Sequence, residues 1–325
     1  MLILYIFLAY IIILDLFIVT NLIKGNPKRT LAKDQNKLRG TEISFEEKRE
    51  TEDYRVLHVV EDGIERVTYT PKNRKYETPI LMLHGMWHGA WCWENWQETL
   101  AKQGWETISF SQPGHAKSTL QRPIFLCTLD YYLSFIRDEI ERLPKKPILM
   151  GHSMGGALTQ WSLKYLGDNF PATVLVAPWV AKNPIKDGGR LFIKLDPMIF
   201  PLTMLQLNAS SWVRSPELAA KLLITEGAIY SPEALHAKLG NESVLITFQH
   251  TPLAWRPPEN VQTPMLILAG EKDAVVTVKG LQDSAEHYGA EFHLVPNSGH
   301  NLMMEATEAE TIEKINHWLE EQAIS

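Results

Sequence analysis

The residues best equipped for chemistry are a serine, an aspartate and a histidine that follow one another in the second half of the chain. Gly151-His-Ser153-Met-Gly155-Gly156 lies between an apolar run ending at Met150 and a helical pattern opening at Met154. In that setting a G-x-S-x-G turn forces the serine into a strained backbone with its hydroxyl projecting above a sheet. Glycines are needed where strand and helix backbones approach closely. A serine hydroxyl is a weak nucleophile near neutral pH, so a base must take its proton and a third group must hold that base in one tautomer. Both are available downstream. Asp273, in Gly270-Glu-Lys-Asp273-Ala-Val, follows one apolar run, and His300, in Asn297-Ser-Gly-His300-Asn-Leu, follows the last. Residues just past parallel strands share the carboxyl edge of a sheet, and the order Ser, Asp, His suits this turn. Glu271 is the alternative acid, although its place directly after Gly270 fits a turn better. Acyl transfer also needs two backbone N–H donors for its oxyanion. One is assigned to Met154, next to the serine, and one to Met86, in the loop after His84-Gly85. His84 is read as ordering that loop.

The elements that must position these residues alternate. Arg55–Val60 and Arg66–Thr70 flank Asp62-Gly63, the pattern of a hairpin with a tight turn. Apolar runs at 79–83, 107–110, 147–150, 173–177, 265–269 and 291–295 read as strands. Helical patterns cover about 93–103, 129–143, 154–166, 279–288 and 305–322. Strands alternating with helices predict an α/β fold with a doubly wound, mostly parallel sheet. Residues 178–260 break the rhythm with eight prolines from Pro184 to Pro258, and read as a helical cap inserted into a core of 53–177 and 261–325.

The first 23 residues contain one charged side chain, Asp15. Their length and apolarity predict an N-terminal transmembrane helix, because the leucines, isoleucines and phenylalanines outweigh the cost of the aspartate. Lys24, Lys28, Arg29, Lys33, Lys37 and Arg39 follow it. Positive flanks stay cytoplasmic, which predicts a single-pass membrane protein with its catalytic domain facing the cytoplasm. Residues 24–52, polar and without periodicity, are expected to be a tether. With a net charge of -6 and no basic stripe interleaved with aromatics, nucleic acid is not an expected partner. Two cysteines, Cys92 and Cys127, make neither a disulfide framework nor a metal motif.

Together these motifs resemble the α/β-hydrolase superfamily over about residues 55–320. His84-Gly-Met-Trp-His-Gly-Ala-Trp-Cys-Trp93 and His300-Asn-Leu-Met-Met are locally similar to the plant methylesterase and hydroxynitrile-lyase branch. The lyases carry a lysine just after the aspartate region, where this chain has Ala274-Val-Val276. Ser111-Gln-Pro-Gly-His115 is similar to the D-x-x-G-x-G-x-S turn of the superfamily, with Ser111 in place of the aspartate and Ala116 in place of a glycine. The resemblance implies a serine esterase or lipase that needs no cofactor or metal. Ser153 attacks an ester carbonyl, an acyl-enzyme forms, and water activated by His300 releases the acid. In the cap, Leu191-Phe-Ile193, Leu195, Met198-Ile-Phe200, Leu202, Met204-Leu205 and Leu207 form an apolar patch that would hold a hydrophobic acyl group of monoacylglycerol or lysophospholipid type. The same fold also hosts non-hydrolytic ligand binders, and acyltransferases and C–C hydrolases that use the same triad.

Overall fold

Asp62 and Gly63 both adopt positive φ, 50° and 75°, as a two-residue hairpin turn between twisted strands requires. The turn joins β2 (Tyr54–Glu61) to β3 (Ile64–Pro71). They belong to a nine-stranded sheet in a computed structural model that describes residues 2–32, 42–252 and 254–324. The sheet runs β1-β2-β3-β5-β4-β6-β7-β8-β9. β1 (Ile43–Glu50), β2 and β3 are antiparallel, and β3 pairs antiparallel with β5 (Thr107–Phe110). From there β4 (Ile80–Leu83), β6 (Ile148–His152), β7 (Thr173–Val176), β8 (Met265–Gly270) and β9 (Glu291–Val295) continue in parallel. β4 to β8 are buried throughout, as strands covered on both faces by crossover helices must be.

Those helices are α3 (Glu94–Gln103), α4 (Leu129–Arg142), α5 (Met154–Tyr165), α11 (Val278–Tyr288) and α12 (Glu308–Glu321). α3 rests on α12, where the Trp105 indole donates to Asn316 at 2.8 Å. Between β7 and β8 the cap contributes α6 (Pro184–Leu195), α7 (Ile199–Gln206), α8 (Pro216–Leu223), α9 (Pro232–His236) and α10 (Leu245–Gln249). Three prolines that interrupt the alternation are helix starts: Pro184, Pro216 and Pro232 open helices capped by Asn183, Ser215 and Ser231. A first-turn proline loses no hydrogen bond there.

The N-terminal segment departs from expectation. Residues expected to be a tether include a short helix α2 (Pro27–Ala32) and the edge strand β1; Lys33, Lys37 and Arg39 lie outside the described residues. β1 escapes periodicity because it is exposed along almost its whole length; backbone pairing rather than side-chain burial holds it, and charged side chains protect such an edge. α2 is fastened to the body where Thr30 donates to Asp130 and Leu31 accepts from Arg137 at 2.6 Å.

The membrane-spanning expectation is likewise corrected. Among the described residues no helix is long and apolar enough to cross a membrane. α1 (Leu2–Lys24) instead lays Leu14 and Ile18 on Leu245 of α10, with Tyr10, Phe17, Met204 and Phe248 around them. Tyr10 donates to the Met204 carbonyl. Helical hydropathy reports that apolar partners are needed, not whether lipid or protein supplies them, and here one face of α1 is satisfied by the cap.

Candidate active site

The site is assembled at the carboxyl edge of the parallel strands. β6 delivers Ser153 on a turn where its φ is 53° and its ψ is -115°, a conformation that non-glycine residues hold only when the surroundings impose it. The glycines permit it by closeness. A Cβ on Gly151 would collide with the Gly155 carbonyl, and one on Gly155 with the Leu83 carbonyl of β4. Ser153 is anchored by its backbone, its N–H donating to Val176 at 3.1 Å and its carbonyl accepting from Ala157 at 3.1 Å. Met154 opens α5, so its N–H is among the first-turn donors without an intrahelical acceptor.

The second expected donor, Met86, lies in a loop that crosses the serine. Gly85 is so near that a Cβ there would stand 3.0 Å from the Ser153 Cβ. The loop is fixed by two histidines. His84 donates through Nδ1 to the Gly85 carbonyl (2.7 Å) and accepts from the Gln112 N–H through Nε2 (3.0 Å), the ordering role expected of it. His88 donates through Nδ1 to the Met86 carbonyl (2.6 Å) and accepts through Nε2 from the Asn301 amide (3.0 Å). Burial lowers the His88 pKa to about 4 and pushes His84 and His152 well below the usual range. These rings therefore stay neutral near pH 7, with one nitrogen donating and the other free to accept.

The structure brings Asp273 and His300 together. His300 Nδ1 donates to Asp273 Oδ2 at 2.8 Å, with both side chains almost fully buried. Asp273 Oδ1 accepts from the N–H groups of Val275 (2.7 Å) and Val276 (3.0 Å). Bonds of this kind stabilise a carboxylate and aim it. Glu271, the alternative acid, points away and accepts from the Asn297 N–H at 2.8 Å in an exposed turn. With Nδ1 occupied, Nε2 of His300 is the nitrogen left for proton transfer.

Two contributors escaped the sequence. His152 donates to the His300 carbonyl at 3.1 Å, tying the serine turn to the histidine loop. His88 and Asn301 bridge the loop that carries Met86 to that same loop. Adjacency to the motifs was the only available signal, since both act across separate strands. Ser111, standing where the superfamily's turn has aspartate, donates to Glu65 at 2.6 Å. A carboxylate from β3 thus occupies the neighbourhood that the substitution vacated.

Above Ser153 lies a pocket of about 290 Å³. Met86 and Trp87 from the loop, Trp179, Val275 and Val276 from the core, and Phe192, Phe200, Met204, Trp212 and Phe248 from the cap line it. Of the tryptophans clustered near the Met86 loop, Trp87 faces this pocket, whereas Trp93 and Trp96 are fully buried in the core. The apolar cap segment divides: Phe192, Phe200 and Met204 turn inward, while Ile193, Met198 and Leu205 are exposed.

A strained serine at a strand-to-helix turn, a histidine locked onto an aspartate, and a cap over both define the class of α/β folds built around a nucleophile turn. The model of the alpha/beta hydrolase family matches residues 80–314, and the chain belongs to that family. It is 32% identical over 115 residues to putative methylesterase 14, chloroplastic, of Arabidopsis thaliana. That match covers 35% of this chain and 32% of the relative, so the chain spans about a third of the length of such relatives. Among solved structures it is similar to a Paleococcus ferrophilus monoacylglycerol lipase, with TM-score 0.60 and 21% identity over 80% of this chain and 99% of that one. It is also similar to a soluble variant of Saccharomyces cerevisiae monoglyceride lipase, with TM-score 0.60 and 14% identity over 89% and 100%. At such identities these structures speak for the fold.

Proposed function

We propose that the protein hydrolyses carboxylic esters through an acyl-enzyme on Ser153. The observation that carries this reading is the strained Ser153 lining an apolar pocket, on a turn whose His152 bonds the carbonyl of a His300 whose tautomer Asp273 imposes. His300 takes the serine proton as the hydroxyl attacks the ester carbonyl, and the N–H groups of Met86 and Met154 receive the oxyanion. The alkoxide leaves with the proton from His300. Water activated by the same ring then releases the acid, restoring the serine.

The pocket supports a hydrophobic acyl group, because its walls are almost wholly side-chain hydrocarbon and rings. Monoacylglycerols and lysophospholipids are the lipid-like esters proposed. The names of the methylesterase relatives favour a second reading, in which an apolar acid occupies the pocket and methanol is the leaving group. The outward face of α1, with Ile12, Ile13, Leu16 and Val19 exposed, supports attachment of the N-terminal helix to a membrane.

Labelling of the full chain with a fluorophosphonate, beside Ser153→Ala, tests the nucleophile. Labelling lost in the variant is expected; a folded wild-type protein that stays unlabelled would move the chain to the ligand-binding reading. p-Nitrophenyl esters of graded acyl length, beside methyl esters of the same acids, separate the two substrates. Turnover rising with acyl length is expected, and activity confined to acetyl esters would reject the lipid-like substrate.

A further inference from the structure

α6 carries different chemistry on its two sides. Its inner side, with Ile185, Gly189 and Phe192, lines the pocket over Ser153. Its outer side presents Lys186, Arg190 and Lys194 at every fourth residue, with Lys182 just before the helix. Residues four apart stand above one another on a helix, so these cations form one stripe. All four are exposed, and they line a surface groove of about 640 Å³. Against its four cations the groove sets two carboxylates. Asp187 accepts from the Thr277 N–H (2.9 Å) and hydroxyl (2.5 Å), and Asp283 pairs with Lys279 at 2.6 Å. The stripe is thus locally positive on a chain of net charge -6.

Large apolar side chains are exposed beside the cations. Ile193 is 55% exposed and Met198, just past the helix, 50%. Gly189, between Lys186 and Arg190, lines the pocket, and a Cβ there would meet no atom within 4 Å, so the inner side of α6 is open at that position. Cations flanked by apolar side chains on the outside of a helix are the composition that settles at a charged lipid surface.

We propose that α6 docks the protein on an anionic lipid bilayer. Lys186, Arg190 and Lys194 lie among the phosphates, and Ile193 and Met198 enter the acyl boundary. The docking does not rest on the ester-hydrolase reading.

The test is co-sedimentation of the full chain with phosphatidylcholine vesicles, with and without about 30% phosphatidylglycerol, an anionic content within the range that draws polybasic segments. Apolar binding through α1 contributes to both, so the ratio of the two partition constants is the readout. A cation near such a surface is worth about fivefold. Lys186→Gln/Arg190→Gln/Lys194→Gln is therefore expected to lower the ratio by about a hundredfold, with unchanged thermal unfolding, while Lys186→Arg/Lys194→Arg retains it. A wild-type ratio near one, or an equal ratio in the neutralised variant, overturns the proposal. So does displacement by inorganic phosphate beyond that by sodium chloride of equal ionic strength, which would assign the groove to a soluble phosphate compound. Because binding is read without turnover, failure of the hydrolase reading leaves this outcome legible.

Discussion

The sheet edge and the cap meet over Ser153 but are held by different forces. At the edge every participant is fixed by directional bonds: Asp273 by two backbone N–H groups, His300 by Asp273, the His300 carbonyl by His152, and the Met86 carbonyl by His88. Breaking one leaves a buried polar group without its partner, at about 1–3 kcal/mol, so the arrangement is stiff. The cap is a set of short helices joined mainly through apolar side chains, with α1 resting on its outer side. Polar bonds tie its margins to the core, among them Gly240 to the Trp87 carbonyl (2.7 Å), His115 to Glu242 (3.0 Å) and the Thr277 N–H to Asp187 (2.9 Å), but the walls it gives the pocket are apolar side chains. Apolar contact is non-directional, so the side chains lining the pocket can repack while the edge keeps its geometry. Reactivity and selectivity are thereby placed on separable parts of one molecule.

The sharpest way to break this contrast is at Asp273. Asp273→Asn is expected to lower kcat by about 10⁴-fold with little change in KM, because the histidine loses its imposed tautomer. Steady-state hydrolysis of a p-nitrophenyl ester checks it, and a loss below about tenfold would mean that another group orients His300. On the cap side, Leu245→Ala removes a fully buried side chain between α1 and the pocket-lining helices. A destabilisation of about 2–5 kcal/mol is expected in urea unfolding, with Ser153 labelling intact below the transition. Stability equal to wild type would show that α1 is not seated on the cap.

Acid should weaken the edge through its buried histidines. His88 has its pKa lowered to about 4 by burial, whereas in the unfolded chain it titrates near 6.5. Between those values the unfolded state binds more protons, so stability is full above pH 6.5 and declines as pH falls toward 4. The loss from His88 alone approaches about 3 kcal/mol. His250, lowered to about 3, acts in the same direction. Chemical denaturation at pH 7, 5.5 and 4.5 reads the slope, and a flat profile would place these rings in contact with water. The smallest effect expected is in selectivity. Phe192→Ala, on the inner side of α6, should lower kcat/KM for medium-chain acyl esters by about tenfold and leave acetyl esters nearly unchanged. An equal fall for both would mean that the cap and the edge are coupled after all.

The parts legible in the sequence are those built from contiguous residues. The hairpin at Asp62-Gly63, the strands read at 79–83 and 147–150, and the turn carrying Ser153 depend on local backbone preference and apolar runs. β1 was illegible because its stability comes from pairing with β2, whose position in the sheet no side chain of Ile43–Glu50 announces. His88 and His152 read as ordinary loop and motif residues, since their partners, Asn301 and the His300 carbonyl, stand more than a hundred positions away.

By itself, then, the sequence determined which residue types could carry acyl transfer and in what order the chain presents them, because a nucleophile turn is encoded within a few consecutive residues. Tertiary structure alone decided that Asp273 rather than Glu271 faces His300, that a histidine bridge stiffens the loop over Ser153, and that α1 lies against the cap. Each of those outcomes is a competition among distant groups for one buried partner. Only folding the chain into a sheet sets the distances on which that competition turns.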